Sequence, residues 1–395
     1  MIKKMYLHQN FLSDIEKMKH PFSVPYVLIL IILAIATPLR AQDASSWIRK
    51  LYIPQTDTLS LIFMGDIMQH GMQLTAAKTT DGFDWLPCFA PIAPRLKGAD
   101  LSVANIETVF AGAPYTGYPI FSSPDALVSD LKASGIGLLL TANNHICDQG
   151  KKGLQRSLNL FDSIGIQHTG VFRSPEERDQ RYPLLITMKG IRIALLAYSY
   201  GTNGFAVPNP FVINLIDTSL IAADLLKAKR LRPDFTIACM HWGAEYQVRQ
   251  SAHQEMLADF MIWKGVDIVM GSHPHVPQGM EVRYHSNGQI KNVVAYSLGN
   301  VVSNQPFPHT QIGVLAEVKL IKNGFYKAIA SFDWEWIVTE HRREEGRRQF
   351  YVLPLDQATQ SSASITIQPD GSPLPSLRYY TDTLSSPHTI RYILK

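Results

Sequence analysis

The sequence predicts an α/β fold in which helices cover a sheet rich in parallel strands. Two observations in the first half of the chain lead to this prediction. Short apolar runs of strand length recur, and segments with helical spacing separate them. From about residue 280 onward the pattern changes to hairpins, which favours two sheets packed together with helices outside.

Strands and helices alternate in the first part of the chain. Gly135 and Gly165 each follow a helical pattern and are predicted to end it. The predicted elements here are, in order, strand 59–64, strand 100–104, helix 124–133, strand 137–142 and helix 153–164.

The later elements include three predicted hairpins. Their turns are Lys189-Gly190, Asn287-Gly288 and Asn323-Gly324. The predicted elements are hairpin 184–197, helix 218–230, strand 235–240, helix 251–263, strand 268–270, hairpin 281–297 and hairpin 313–334.

Three regions are predicted along the chain. Residues 1–41 contain an apolar run at 24–38 behind a positive flank, which indicates a signal peptide or an N-terminal membrane anchor. Residues 55–340 form the main domain, and residues 341–395 form a C-terminal tail with short strands and polar linkers. Either reading of the leader places the rest of the chain outside the cytoplasm, in the periplasm or at the cell surface.

Composition excludes several classes of protein. Hydrophobic residues make up 46% of the chain and charged residues 18%, as in a globular protein. The net charge of +4 comes largely from residues 1–41, since the remainder holds 32 basic against 31 acidic residues. We therefore expect no nucleic-acid partner. The three cysteines, which show no paired spacing, provide neither a disulfide framework nor a CxxC metal site.

Six polar clusters follow apolar runs and form the main functional signal. Strand ends of a parallel sheet meet at one edge, so their carboxylate, amide and imidazole groups are expected to converge there. Such donors suit divalent metal ions and hydrolytic chemistry. The clusters are Gly65-Asp66 with His70, Asn105-Ile106-Glu107, Asn143-Asn144-His145 with Asp148, His241-Trp242-Gly243 with Glu245 and Tyr246, Gly271-Ser272-His273-Pro274-His275, and Ser297-Leu298-Gly299-Asn300.

Individual residues in these clusters have distinct chemical uses. Asp66 and Glu107 offer hard oxygen ligands, while His145 can protonate a leaving group. Asp148 either orients His145 or caps the next helix. Each cluster alone is also compatible with turn chemistry or a packed structural histidine, and it is their joint occurrence at strand ends that favours a metal site.

His273-Pro274-His275 is the strongest local signal. The proline is expected to hold the backbone extended, so that the two imidazoles leave opposite faces of the segment. Each could then reach a different metal ion, or one could reach a metal ion and the other the substrate.

The ordered clusters resemble the bacterial capsule-synthesis family called CapA, over about residues 60–305. The fold of that family is similar to that of calcineurin-like metallophosphoesterases. The resemblance therefore implies a four-layer α/β/β/α sandwich. It also implies a link to making, exporting or anchoring extracellular polymers such as poly-γ-glutamate.

The resemblance further implies roles for single residues. One or two divalent ions (Mn, Fe or Zn) would be bound, with a metal-bound hydroxide as nucleophile. The implied roles are Asp66 and His275 on one metal, Glu107 bridging, Asn144, His241 and His273 on the second metal, His145 with Asp148 as the catalytic pair, and Asn105, Trp242, Glu245 and Tyr246 in substrate binding.

Two positions depart from the phosphoesterase pattern. Met68 stands where those enzymes place a histidine, two residues after the first aspartate. His70 is the candidate that replaces it as a metal ligand, and without it the site would hold one ion. The acidic residue after the Asn-His pair is displaced to Asp148.

Two functions follow as alternatives. The first is an extracytoplasmic metal-dependent hydrolase of capsule or exopolymer biosynthesis, acting on a cell-surface polymer or a phosphoester. The second is a non-catalytic polymer-binding component of a membrane complex for polymer synthesis and export, with polymer-synthase subunits as partners. A secreted binding module unrelated to metals would require all six clusters to be turn chemistry.

Overall fold

The structure is a computed structural model that describes residues 56–344, 346–357, 377–381 and 389–394. The predicted leader, residues 1–41, lies outside the described residues. Among the helices of the described ranges, none has the length and apolar character needed to cross a membrane.

The secondary structure alternates strands and helices until the last third of the chain. The strands are β1 (Asp57–Ile67), β2 (Leu101–Ile106), β3 (Leu138–Leu140), β4 (Gln167–Thr169), β5 (Val171–Phe172), β6 (Leu184–Met188), β7 (Ile191–Ser199), β8 (Val212–Ile213), β9 (Phe235–His241), β10 (Ile268–Ser272), β11 (Met280–Tyr284), β12 (Ile290–Ala295), β13 (Asn300–Val302), β14 (Ile312–Asn323), β15 (Tyr326–Glu344), β16 (Arg347–Pro354), β17 (Leu377–Thr381) and β18 (Thr389–Leu394). The helices are α1 (Gly71–Ala77), α2 (Leu86–Phe89), α3 (Ala93–Gly98), α4 (Ala126–Ala133), α5 (Gly150–Ile164), α6 (Pro175–Arg181), α7 (Thr218–Arg230) and α8 (Ala252–Trp263).

The strands form two sheet halves that share one hydrogen-bonded path. The first half runs β4-β3-β2-β1-β14-β15, in which β4 to β1 are parallel. The second runs β12-β10-β9-β7-β6, in which β12 to β7 are parallel. The two halves join at a single pair, Ile290 of β12 opposite Ile329 of β15.

Three hydrophobic cores separate four layers. Alternate residues of β1, such as Leu61, pack against β9 residues, such as Ile237, between the two sheet halves. The opposite face of the first half packs against α4 and α5, and that of the second half against α7 and α8. Because strand side chains alternate in direction, each sheet half buries both faces. The predicted α/β/β/α sandwich is therefore confirmed.

Local sequence signals explain several element ends. Lys189 and Gly190 both have positive φ, of 46° and 71°, as the tight β6–β7 turn requires. Asp217 accepts a hydrogen bond from the amide of Leu220 and so caps α7. Gly165 ends α5 with a left-handed φ of 68°.

Two features of the chain's organisation differ from the sequence prediction. Four helices, α1, α2, α3 and α6, were not predicted, and all four have seven residues or fewer. The boundary placed at residue 340 falls inside β15, which continues to Glu344 and pairs with β16 as far as Pro354. Phe350 and Val352 of β16 are buried in the first-half core, so this part of the tail belongs to the main domain.

Candidate metal centre

The polar clusters meet at one end of the two sheet halves. Asp66 lies near the end of β1, opposite Asn105 of β2 and Asn300 of β13. His241 is the last residue of β9, opposite Ser272 of β10. Parallel pairing brings these strand ends together, as expected.

Gly65 allows the close approach that positions Asp66. A Cβ atom at Gly65 would lie 1.8 Å from the carbonyl oxygen of Gly299, far inside contact distance. The amide of Asp66 donates to that same oxygen at 3.0 Å. The glycine therefore lets β1 and the segment before β13 touch backbone to backbone directly beside the aspartate.

The Asp66 carboxylate is fully buried and surrounded by polar groups. Its Oδ1 accepts a hydrogen bond from Asn105 Nδ2 at 2.7 Å, and its Oδ2 accepts one from the His273 amide at 3.1 Å. His275 Nδ1 lies 3.2 Å from Oδ2. Burial by itself would raise the pKa of Asp66, but the interactions with His275 and Asn105 outweigh it and lower the pKa.

Glu107 follows β2 and is the centre of the cluster. Its side chain is fully buried, and Oε1 has no hydrogen-bond partner in the part of the chain that the structure describes. Oε1 lies 3.6 Å from His241 Nε2 and 3.8 Å from His275 Nε2. Burial, followed by the charge of Asp66, raises the pKa of Glu107 well above its usual value. A buried carboxylate oxygen without a partner is costly unless a cation is bound.

The donor set fits a divalent cation. Ligand atoms lie within 4.8 Å of one another in two groups, Asp66 with Glu107 and His241, and Glu107 with His273 and His275. Burial, followed by the charges of neighbouring histidines, lowers the pKa of His241 well below its usual value and that of His273 to about 3. These imidazoles are therefore neutral, the form that ligates a metal. His273 Nδ1 has no hydrogen-bond partner among the described residues.

The sharing of ligands between two ions stays a prediction. His275 contacts Asp66, as the predicted first metal position requires, and His241 Nε2 lies 2.7 Å from Asn144 Oδ1, as the second requires. The two groups with converging ligand atoms divide these residues differently. One group contains Asp66 and His241, and the other contains His273 and His275. Glu107 belongs to both groups, in agreement with the bridging position predicted for it.

His145 and Asp148 form a buried pair next to these ligands. His145 Nδ1 lies 2.8 Å from Asp148 Oδ2, which also accepts a hydrogen bond from the Phe121 amide at 2.9 Å. The Phe121 ring meets the imidazole edge-on, with centroids 4.7 Å apart. Of the two roles considered for Asp148, the structure supports orientation of His145.

The prediction that His273 and His275 point to opposite faces was wrong. Both residues have positive φ, of 97° and 60°, so the segment is not extended on either side of Pro274. The two rings lie with centroids 5.7 Å apart and share a ligand group with Glu107.

The residues predicted to bind substrate lie in three different environments. Asn105 is buried within the ligand network, where its Nδ2 also lies 3.2 Å from His241 Nδ1. Glu245 and Tyr246 lie near His275, at the mouth of the site, where the cluster borders solvent. Trp242 is 1% exposed in the second-half core and donates from Nε1 to the Tyr296 carbonyl at 2.8 Å. Its position corrects the prediction of a substrate contact, because the indole is a packing group.

His70, the additional candidate ligand, is held by other groups. It is the residue before α1, and its Nδ1 lies 3.3 Å from Gln73 Oε1 and accepts from the Asn304 amide at 3.3 Å. It belongs to neither of the two groups of converging ligand atoms found among the described residues. A metal-ligating role for His70 stays a prediction.

Three contacts at the site were not predicted. Asn300 Oδ1 lies 3.2 Å from His275 Nδ1, and Ser272 Oγ lies 3.1 Å from His241 Nδ1. The Tyr200 ring packs on His273 with centroids 4.3 Å apart. Asn300 and Ser272 stand inside the polar clusters, so the signal was present, whereas Tyr200 follows β7 without any motif.

Comparison with known proteins finds relatives named for capsule and PGA biosynthesis. The capsule biosynthesis protein CapA of Bacillus anthracis is 27% identical over 342 residues, covering 82% of this chain and 79% of that protein. The PGA biosynthesis protein CapA of Bacillus subtilis (strain 168) is 28% identical over 347 residues, covering 82% and 84%.

Solved structures of low sequence identity are also similar. The NAD nucleotidase NadN of Haemophilus influenzae has a TM-score of 0.45 at 14% identity, covering 81% of this chain and 64% of that one. The calcineurin-like phosphoesterase YfkN of Bacillus subtilis has a TM-score of 0.43 at 12% identity, covering 80% and 96%.

Fold and site together define an α/β sandwich protein with a buried cluster, at its strand ends, of side chains able to ligate a metal ion. The family described as bacterial capsule synthesis protein PGA_cap matches residues 60–305. The chain belongs to this family.

Proposed function

We propose that this protein is a metal-dependent hydrolase of capsule or exopolymer biosynthesis. The observation that carries the proposal is the Glu107 carboxylate, buried without a hydrogen-bond partner on Oε1 among the described residues and shared by two groups of converging ligands. Carboxylate, imidazole and amide donors together suit Mn, Fe or Zn ions.

The residues that would hold one or two ions are those of the cluster. They are Asp66, Glu107, Asn144, His241, His273 and His275. A divalent ion bound there supplies Lewis acidity to the scissile group and lowers the pKa of a coordinated water.

His145 is the group that would donate a proton to the leaving group. Its side chain is 6% exposed, and the Asp148 carboxylate 2.8 Å from Nδ1 orients the ring. Asp148 holds the proton on Nδ1. When the imidazole is charged, Nε2 therefore donates the second proton to the leaving group.

The substrate and location are proposed from the relatives and the leader. The Bacillus relatives are named for capsule and PGA biosynthesis, so we propose an extracellular polymer of the poly-γ-glutamate type or a phosphoester as substrate. An exported location, with or without anchoring by residues 1–41, fits such a substrate. Membrane polymer-synthase subunits are the proposed partners.

The test combines metal analysis and hydrolysis with the full chain. After loading with Mn²⁺ and desalting, the wild type is expected to retain one or two ions and to hydrolyse a generic phosphodiester or a poly-γ-glutamate chain. Glu107→Gln is expected to lose bound metal and activity together. Glu317→Gln is the matched control because it also removes a largely buried carboxylate. Glu317 lies on β14 and pairs with Arg95 rather than with the cluster. A wild type without metal and without turnover would contradict the proposal.

The alternative is a non-catalytic component that binds polymer in the same cleft. Met68 favours it, because this buried side chain stands where phosphoesterases place a histidine. Polymer affinity that persists in His145→Ala and in the presence of a chelator, without turnover by the wild type, would support this alternative.

A further inference from the structure

We propose that Glu245, Tyr200 and Tyr246 form a subsite for a positively charged amine of the substrate, beside the metal centre. The inference rests on the proposed function, because it names a chemical group that the hydrolase would recognise. Its evidence is the position of one exposed carboxylate beside a histidine of the cluster, with two tyrosine rings packed on the same pair of histidines.

Glu245 lies at the boundary between the buried centre and solvent. It follows β9 by four residues, and its Oε1 is 4.0 Å from His275 Nε2. The Glu245 side chain is 41% exposed, whereas that of His275 is 1% exposed. A ligand bound at His275 would therefore lie close to this carboxylate.

Aromatic rings pack on the histidines beside this carboxylate. Tyr200, which is 44% exposed, packs on His273, and Tyr246 lies 5.9 Å from His275 between ring centroids. Tyr246 also contacts Phe307, itself 45% exposed, at 4.2 Å between centroids. The carboxylate and these rings therefore lie around the same pair of histidines.

In the part of the chain that the structure describes, His275 is the one basic side chain within ion-pair distance of Glu245. Among the described residues, no lysine or arginine makes a hydrogen bond or ion pair with Glu245, Tyr200 or Tyr246. Three other carboxylates, in contrast, lie within 2.7 Å of a cationic side chain. These pairs are Asp125–Arg156, Asp179–Lys227 and Glu317–Arg95.

An exposed carboxylate in a site lined by tyrosine rings is suited to an ammonium group. The carboxylate attracts the charge, and the ring faces add cation–π attraction. The same negative charge disfavours an anionic group at this position. The substrate is therefore expected to carry an amine within a few bonds of the reacting group.

Two phosphate esters of nearly equal size test this directly. Ethanolamine phosphate carries an ammonium group where propyl phosphate carries a methyl group. Their dissociation constants are measured by calorimetric titration of the Mn²⁺-loaded full chain, which requires binding but no turnover. The wild type is expected to prefer ethanolamine phosphate by about tenfold, equivalent to about 1.4 kcal/mol.

Glu245→Gln is expected to abolish this preference and to bind propyl phosphate as well as the wild type or better. Glu335→Gln is the matched control, since Glu335 has a similar exposure of 39% but lies on β15 beside Arg95. It is expected to keep the full preference. Raising the salt concentration is expected to reduce the preference of the wild type.

With Mn²⁺ retained by the protein, the inference is overturned if the wild type binds both esters equally, if the preference survives in Glu245→Gln, or if ethanolamine phosphate does not bind. These outcomes are distinct from failure of the proposed function. A protein that retains metal and prefers the amine-bearing ester, yet hydrolyses nothing, would refute the hydrolase and leave the amine subsite supported.

Discussion

At the residue scale, the structure separates groups that would hold a cation from groups that would move protons. Glu107 and His273 each present a buried polar atom without a described partner toward the centre. His145 instead has its Nδ1 engaged by Asp148 and one ring edge against Phe121. The His145 imidazole is oriented by Asp148 and lies outside both ligand groups, so it is suited to acid catalysis rather than to metal ligation.

This division predicts how His145→Ala depends on the leaving group. We expect a loss in kcat of about 100-fold or more for an ester whose alcohol leaving group needs protonation. The loss should be much smaller for a p-nitrophenyl ester, because p-nitrophenolate leaves without a proton. Steady-state kinetics with the two esters gives the ratio, and metal analysis checks that the ions remain bound. An equal loss with both esters would argue against His145 as the acid.

At the element scale, the site depends on glycines at positions where the backbones of neighbouring segments approach each other closely. Cβ atoms at Gly65, Gly271 and Gly313 would lie 1.8, 1.9 and 2.0 Å from the carbonyl oxygens of other segments. Backbone atoms cannot move aside as a flexible side chain can, so these positions accept no side chain. The glycines thereby set the spacing between the strand ends that carry Asp66 and His273.

We expect Gly65→Ala to lower the free energy of unfolding by about 3 kcal/mol or more, since the new methyl group would collide with the Gly299 carbonyl. Gly98→Ala, at the end of α3, is the matched control, because a Cβ atom there meets nothing within 4 Å. Urea denaturation of the wild type and both variants measures the effect. Equal free energies of unfolding for the two variants would show that the backbone around Gly65 accommodates the added methyl group without loss of stability.

At the scale of the whole molecule, the sandwich buries several histidines in the neutral state. Burial lowers the pKa of His70 to about 4, that of His273 to about 3, and those of His241 and His168 below their usual values. In the unfolded chain each returns to a pKa of about 6.5. Folding is therefore linked to the release of protons from these side chains in mildly acidic solution.

Without metal, we expect stability to fall as the pH drops below about 6.5. A depressed histidine pKa contributes stability that is present above the unfolded pKa and is lost as the pH falls toward the folded one. The slope approaches about 1.4 kcal/mol per pH unit for each histidine that stays neutral. Glu107, whose pKa is raised, acts in the opposite sense.

The measurement is urea denaturation at pH 7.5, 6.5 and 5.5 in the presence of a chelator. His168 lies outside the metal centre. His168→Gln should reduce the dependence of the free energy of unfolding on pH by the contribution of one histidine. A free energy of unfolding that stays constant across this range would contradict the linkage.

Much of the fold could be predicted because its signals are local. The Lys189-Gly190 turn and the glycine after α5 act within a few residues, and the structure confirms the elements that they delimit. The short helices α1 to α3 were missed because fewer than two full turns provide too little periodicity to recognise.

The sequence by itself determined the order of strands and helices and the residue types that follow each strand, since both depend on neighbouring residues. Only the tertiary structure decided which of these side chains face the same point. Positive φ at His273 and His275 turned both rings inward, and packing against α7 and α8 placed Trp242 in a core while Glu245, three residues later, stayed at the mouth. Direction in space depends on contacts between residues distant in the chain, such as Asp66 with His275, and no local pattern encodes those contacts.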